Sequence, residues 1–152
     1  MAKGAAGGEA AFDFAERLAE SSQWPCETVT DGISQATVNL AHDLGAQAII
    51  TATSTGHTAL MVAMYRPEVP IIAVTPDVAT QRRLALAWGV RAIVARRGKT
   101  TDELILHAVG RAQEEGMVVQ DDVVVVTAGG PAGIPGQTNL IKVEVVGRHH
   151  TF

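Results

Sequence analysis

Four short apolar runs, each followed or preceded by a segment with apolar residues at helical spacing, set the rhythm of this chain. Ala48-Ile49-Ile50-Thr51-Ala52, Ile71-Ile72-Ala73-Val74, Val90-Arg91-Ala92-Ile93-Val94-Ala95 and Val123-Val124-Val125-Val126-Thr127 are short, continuous and rich in β-branched residues. Such runs predict parallel strands buried on both faces. Between them, Ile33, Ala36, Thr37, Leu40, Ala41 and Leu44 predict a helix capped by Thr30 and closed at Gly45. Ala59, Val62 and Ala63 predict a second, running to Tyr65. Thr75-Pro76-Asp77 opens a third, with Thr75 as cap, Pro76 at its first position, and Val78, Leu84, Ala85 and Trp88 turned inward. Thr100-Thr101-Asp102-Glu103 reads as a capping box for a fourth that ends at Gly116.

A last strand, Asn139 to Val146, alternates Leu140, Lys142 and Glu144 against Ile141, Val143 and Val145, the pattern of a half-exposed edge. No helical pattern separates it from the fourth run, so it is expected to be antiparallel. Together these elements predict an α/β fold: a three-layer α/β/α sandwich with a mostly parallel five-stranded sheet and an antiparallel edge strand. Residues 1–8 read as a flexible leader, 9–27 as a linker helix and connection, 28–148 as the domain and 149–152 as a tail. The linker helix rests on Ala11, Phe14, Ala15, Leu18 and Ala19 sharing one face between Glu9 and Glu20.

In an open parallel sheet, ligands bind beyond the carboxyl ends of the strands. Those ends carry Thr53 to Thr58, Arg96 to Lys99, and Gly129 to Thr138, which should meet at one rim. The first is distinctive. Thr53-Ser54-Thr55-Gly56-His57-Thr58 holds four hydroxyls and a glycine and no acidic residue, where a strand gives way to a helix. Free backbone N–H groups, hydroxyl donors and the positive end of the helix dipole suit a phosphate there. A helix cap alone needs one hydroxyl. Arg96, Arg97, Lys99 and His57 are possible further contacts, as are Gly130 and Gly136, although a basic loop is also an ordinary solvated turn.

Composition narrows the function classes. A net charge of -4 lacks the basic footprint of a nucleic-acid binder. No apolar run reaches membrane-spanning length, and the start lacks the apolar stretch of a signal peptide, so neither a membrane nor a nucleic acid is expected as partner and the expected location is cytoplasmic. The single cysteine, Cys26, excludes an internal disulfide and a zinc framework of cysteines. Asp121-Asp122 reads as a turn rather than a metal site, and Met61 and Met64 as core or subunit contact. No Gly-x-Ser-x-Gly, His-Glu-x-x-His or Walker sequence is present.

Thr53-Ser54-Thr55-Gly56-His57-Thr58-Ala59, Tyr65-Arg66-Pro67, Pro70 to Thr75, Arg83 to Leu86 with Trp88-Gly89-Val90, Thr101-Asp102-Glu103, Asp122-Val123-Val124, Thr127-Ala128-Gly129, and Gly136 with Thr138 to Val143 closely resemble the C-terminal domain of pyruvate kinases, bacterial forms especially. The resemblance runs in unbroken order from about Asp31 to Gly147. It implies a glycolytic phosphotransferase whose catalytic barrel, with its magnesium and potassium ions, is not in this chain. No cofactor and no catalytic residue are expected here. It further implies an allosteric and oligomerising domain, with pyruvate kinase catalytic domain and further copies of itself as partners. Carried over residue by residue, the effector-phosphate loop is Thr53, Ser54, Thr55, Gly56 and Thr58. Leu104 stands where the resemblance would place an arginine for a second phosphate, and Gly129-Gly130-Pro131 replaces a Trp-Arg-Pro turn. A sugar monophosphate or AMP is therefore expected rather than fructose 1,6-bisphosphate. Two alternatives stay open: a stand-alone sugar-phosphate-binding or isomerase-like protein, and a purely structural oligomerisation module.

Overall fold

The computed structural model describes residues 26–129 and 138–148, together with Glu16. The expected leader, most of the linker helix, the tail, and Gly130 and Gly136 lie outside the described residues. In chain order come α1 (Val29–Leu44), β1 (Ala48–Ala52), α2 (His57–Met64), β2 (Ile71–Thr75), α3 (Val78–Leu84), β3 (Val90–Val94), α4 (Thr101–Glu114), β4 (Val123–Gly129) and β5 (Thr138–Val145). The five strands form one sheet in the order β3-β2-β1-β4-β5. β1 pairs in parallel with β2 and β4, β2 in parallel with β3, and β5 runs antiparallel to β4 at the edge. The α/β sandwich expected from the alternation is the fold observed.

The sheet divides the apolar interior in two, and its faces are covered unequally. Ile49, Ile71, Ala73 and Val125 meet Val38 and Ala41 of α1, Ala59 and Val62 of α2, and Leu84 of α3. Ile50, Ile72, Val124 and Val126 meet Ile105, Ala108 and Ala112 of α4. Every residue of β1 and β2 is buried, which explains why those strands carry no polar alternation. β3 forms one edge, where Gln81 Nε2 donates to Ala92 O at 3.2 Å and Arg111 Nε donates to Val94 O at 3.2 Å. Two side chains from opposite faces thus occupy carbonyls that an incoming strand would need.

Several local expectations are corrected. α1 is capped by Thr28, not Thr30: Thr28 Oγ1 accepts from Asp31 N, and the Asp31 carboxylate accepts in return from Thr28 N, both at 3.1 Å. Thr30 instead turns into the interior. α3 is capped by Asp77, whose carboxylate accepts from Ala79 N at 3.3 Å and Thr80 N at 3.1 Å, while Thr75 completes β2. α3 ends at Leu84, one turn short of its pattern, which leaves Ala85 and Trp88 exposed; Val78, at its first position, is exposed as well, and of the four expected inward residues Leu84 alone is buried. The Trp88 ring lies 5.3 Å from the Arg66 guanidinium, a cation–π contact at the surface. Of the two roles expected for Met64, core or subunit contact, its exposure removes the first.

The capping box at α4 is half formed. Thr100 Oγ1 accepts from Glu103 N at 3.2 Å, but the Glu103 carboxylate takes Lys99 N at 2.8 Å. On β5 the alternation fails as a guide to burial, because Glu144 is buried and Val143 exposed. Glu144 sits across from Val124 on the α4 face, with Lys142 Nζ 2.8 Å from its carboxylate.

Candidate functional site

The segment from Thr53 to Thr58 closes on itself before α2 begins. Thr53 N donates to Val74 O at 2.9 Å, which continues the β1–β2 pairing by one residue. Its side chain is buried, and Gly56 N donates to Thr53 Oγ1 at 2.9 Å, drawing the loop into a tight hydroxyl-closed turn. Gly56 has φ +85, a backbone conformation that favours glycine, and a Cβ there would lie 3.0 Å from Leu84 Cδ2 and press on that side chain. Leu60 N makes the first helical bond, to Gly56 O at 3.1 Å. The N–H groups of His57, Thr58 and Ala59 precede it and have no carbonyl of the helix to bond, so the positive end of α2 is concentrated at the turn. His57 N also donates weakly to Thr55 Oγ1 at 3.4 Å.

The six residues of the turn divide into two sets. Ser54, Thr55 and His57 are exposed at the rim; Thr53, Gly56 and Thr58 are buried. Thr58 Oγ1 is hydrogen-bonded to Thr138 Oγ1 at the start of β5. That bond joins the first rim loop to the end of the last across 80 residues of sequence. Thr53 and Thr58 therefore shape the loop, and Ser54 and Thr55 present hydroxyls to solvent.

The basic loop is more distant. Arg96, Arg97 and Lys99 are exposed beyond β3, and β2 stands between β3 and β1 in the sheet. Gly98 packs so closely on α4 that a Cβ would lie 2.5 Å from Leu104 N, which holds the loop against that helix. A groove of about 410 Å³ lies between the start of α4 and β5, lined by Thr101, Asp102, Ile105, Asn139, Leu140 and Lys142. The turn from Thr53 to Thr58 does not line it.

One cation at the turn escaped the sequence reading. Arg83 Nη2 donates to Thr55 O at 3.4 Å and to Thr80 Oγ1 at 2.9 Å. The Thr80 hydroxyl lies within hydrogen-bond distance of both Ser54 O, at 3.1 Å, and Asp77 Oδ2, at 2.8 Å. Hydrogen bonds from the Thr80 hydroxyl and amide, then from Ala79 N, with the positive charge of Arg83, hold the Asp77 carboxyl below its usual range. α3 thus braces the turn from behind and brings a guanidinium to it. No spacing could have revealed this, since Arg83 lies 28 residues from Thr55 and looks like any surface arginine of a helix. Among the described residues, no group of three or more His, Cys, Asp or Glu side chains is placed to hold a metal ion. No described helix is long and apolar enough to cross a membrane.

A family described as pyruvate kinase, alpha/beta domain, matches residues 31–144. A pyruvate kinase of Clostridium acetobutylicum is 46% identical over 146 residues, covering 96% of this chain and 31% of the relative. One of Geobacillus stearothermophilus is 45% identical over 138 residues, covering 91% of this chain and 24% of the relative. One of Staphylococcus haemolyticus is 39% identical over 139 residues, with the same coverage. The chain spans between 24% and 31% of the length of these curated relatives.

Proposed function

The chain belongs to the pyruvate kinase alpha/beta-domain family, and from that premise we propose that it is a regulatory domain that binds a phosphorylated metabolite at the turn between β1 and α2. The observation that carries the reading is the pairing of two exposed hydroxyls, on Ser54 and Thr55, with the N–H groups that open α2. An oxyanion seated there would accept from hydroxyls and amides together, at the positive end of a helix whose first turn holds no acidic residue. Arg83, already at the loop, contributes positive charge. Thr53 and Gly56 pre-form the turn, so little ordering is required on binding.

The ligand favoured is a monophosphate, a sugar phosphate or AMP, because the described residues offer one such turn and the basic loop is separated from it by β2. Within a longer pyruvate kinase the same domain would serve assembly and regulation, while phosphoryl transfer would belong to a catalytic domain with its own metal ions. No catalytic role is assigned to a residue of this chain, and the site's setting is proposed to be cytoplasmic.

Isothermal titration of the chain with ribose 5-phosphate, glucose 6-phosphate and AMP tests the proposal. Binding of at least one is expected, and Ser54→Glu should weaken it at least tenfold by placing a carboxylate beside the phosphate, a penalty of about 1.4 kcal/mol or more. Ser54 suits this test better than Thr58, because Thr58 is buried against Thr138 and a glutamate there would disturb packing as well as charge. Binding that survives Ser54→Glu unchanged would place the phosphate elsewhere.

A further inference from the structure

Beneath the rim, the layer between α1 and the sheet changes character. Toward the amino ends of the strands it is apolar, built from Val38, Ala41, Ile49 and Val125. One turn of α1 and two residues of each strand further toward the rim, the inward positions become Ser34, Thr51 and Thr127. Thr51 and Thr127 are register partners on the parallel strands β1 and β4, so they sit side by side on one face, the face of Ile49 and Val125. Ser34 precedes Val38 by four residues and shares its inward face. α1 returns through the short connection Gly45–Gln47 into β1, so it runs antiparallel to the strand and carries Ser34 toward the level of the two threonines. All three are 0% exposed.

Neighbouring buried hydroxyls are satisfied. Thr37 Oγ1 donates to Ile33 O at 2.7 Å, and Thr58 pairs with Thr138. Ser34 Oγ, Thr51 Oγ1 and Thr127 Oγ1 have no hydrogen-bond partner among the described residues. Buried hydroxyls in that state are costly, and native proteins satisfy them with each other or with ordered water. A serine and two threonines with free donors and acceptors, converging from a helix and two strands, supply the two to four polar contacts that hold one buried water.

We infer that Ser34, Thr51 and Thr127 form an internal hydration site, in which one or two water molecules bridge α1 to β1 and β4 directly under the turn from Thr53 to Thr58. Three uncharged hydroxyls favour water over a metal cation, which would demand more oxygen ligands and carboxylate charge. The amino-terminal half of α1 is then joined to the sheet through solvent, and its carboxyl-terminal half by apolar packing.

A crystal structure of the 152-residue chain at about 1.8 Å or better, together with thermal unfolding of variants, tests this. The expected result is water density within hydrogen-bond distance of Ser34 Oγ and of at least one of the two threonine hydroxyls. Thr127→Val, which exchanges the hydroxyl for a methyl of similar shape, should remove that density and lower the unfolding midpoint. Thr127→Ser, which keeps the hydroxyl, should retain the density. Absence of density in the unmodified chain overturns the inference, as does a raised midpoint in both Thr127→Val and Thr51→Val, since a dry unpaired hydroxyl is improved by a methyl group. Should Thr127→Val fail to fold, density in the unmodified chain and in Thr127→Ser decides the matter.

Discussion

Replacing Gly56 by alanine puts the closed turn to a quantitative test. At φ +85 an L-residue is held in the left-handed region, which costs about 1–2 kcal/mol relative to glycine. The new Cβ would meet three atoms of Leu84, Cδ2 at 3.0 Å, Cγ at 3.2 Å and Cδ1 at 3.3 Å. Leu84 is 2% exposed, so its branch must give by a few tenths of an ångström within a packed interior, an overpacking strain of about 1–2 kcal/mol. The sum is about 2–4 kcal/mol, or a fall in melting temperature of roughly 5–12 °C for a chain of this size. Gly45→Ala supplies the control. Gly45 has φ +60 with nothing within 4 Å of its Cβ position, so it isolates the backbone contribution of about 1–2 kcal/mol. Urea unfolding followed by far-ultraviolet circular dichroism measures both. If Gly56→Ala proves no more destabilising than Gly45→Ala, the close contact between the turn and Leu84 adds nothing to stability, and the packing part of the estimate is refuted.

Lys142→Met should destabilise the chain by about 1–2 kcal/mol, because it leaves the buried Glu144 carboxylate without its 2.8 Å partner, although Lys142 itself is 42% exposed and solvent moderates the loss. Chemical denaturation at neutral pH measures this, and an unchanged midpoint would mean that water replaces the ammonium at no cost. The hydrogen bond to Glu144 raises the Lys142 pKa against the opposing effect of burial, so this contribution is present below the usual value of 10.5 and is lost as pH rises through the higher folded-state value. Asp77→Ala should lower the melting temperature at neutral pH by removing the cap of α3. The Asp77 pKa is lowered, chiefly by the hydrogen bond from the Thr80 side chain, so the native carboxylate stabilises the fold above its usual value of 3.8 and ceases to do so as pH falls through the lower folded-state value. The unmodified chain and Asp77→Ala should therefore converge in melting temperature in acid; a gap that persists at the acid end would show that the residue acts through packing rather than charge.

The architecture was legible in the residues because its signals are local. Continuous apolar runs such as Ile71 to Val74 need a layer on each side, and no arrangement other than a sheet between helices buries them. The hydroxyl-rich turn was legible for the same reason: strand, glycine and helix follow one another within 18 residues, Ala48 to Tyr65. Caps were harder. Thr28 and Thr30, or Thr75 and Asp77, are equivalent by type, and only the path of the backbone decides which oxygen meets an amide. Burial on β5 was illegible because an edge strand's exposure depends on how far α1 on one face and α4 on the other reach over it, and Glu144 is tolerated inside since Lys142 reaches it. What tertiary structure alone determined is which members of the turn face solvent, that Arg83 stands beside it, and that Thr51 and Thr127 are buried side by side on neighbouring strands while Ser34 is buried on α1. Each depends on contacts between residues far apart along the chain, and a linear pattern carries periodicity but not the crossing of one element over another.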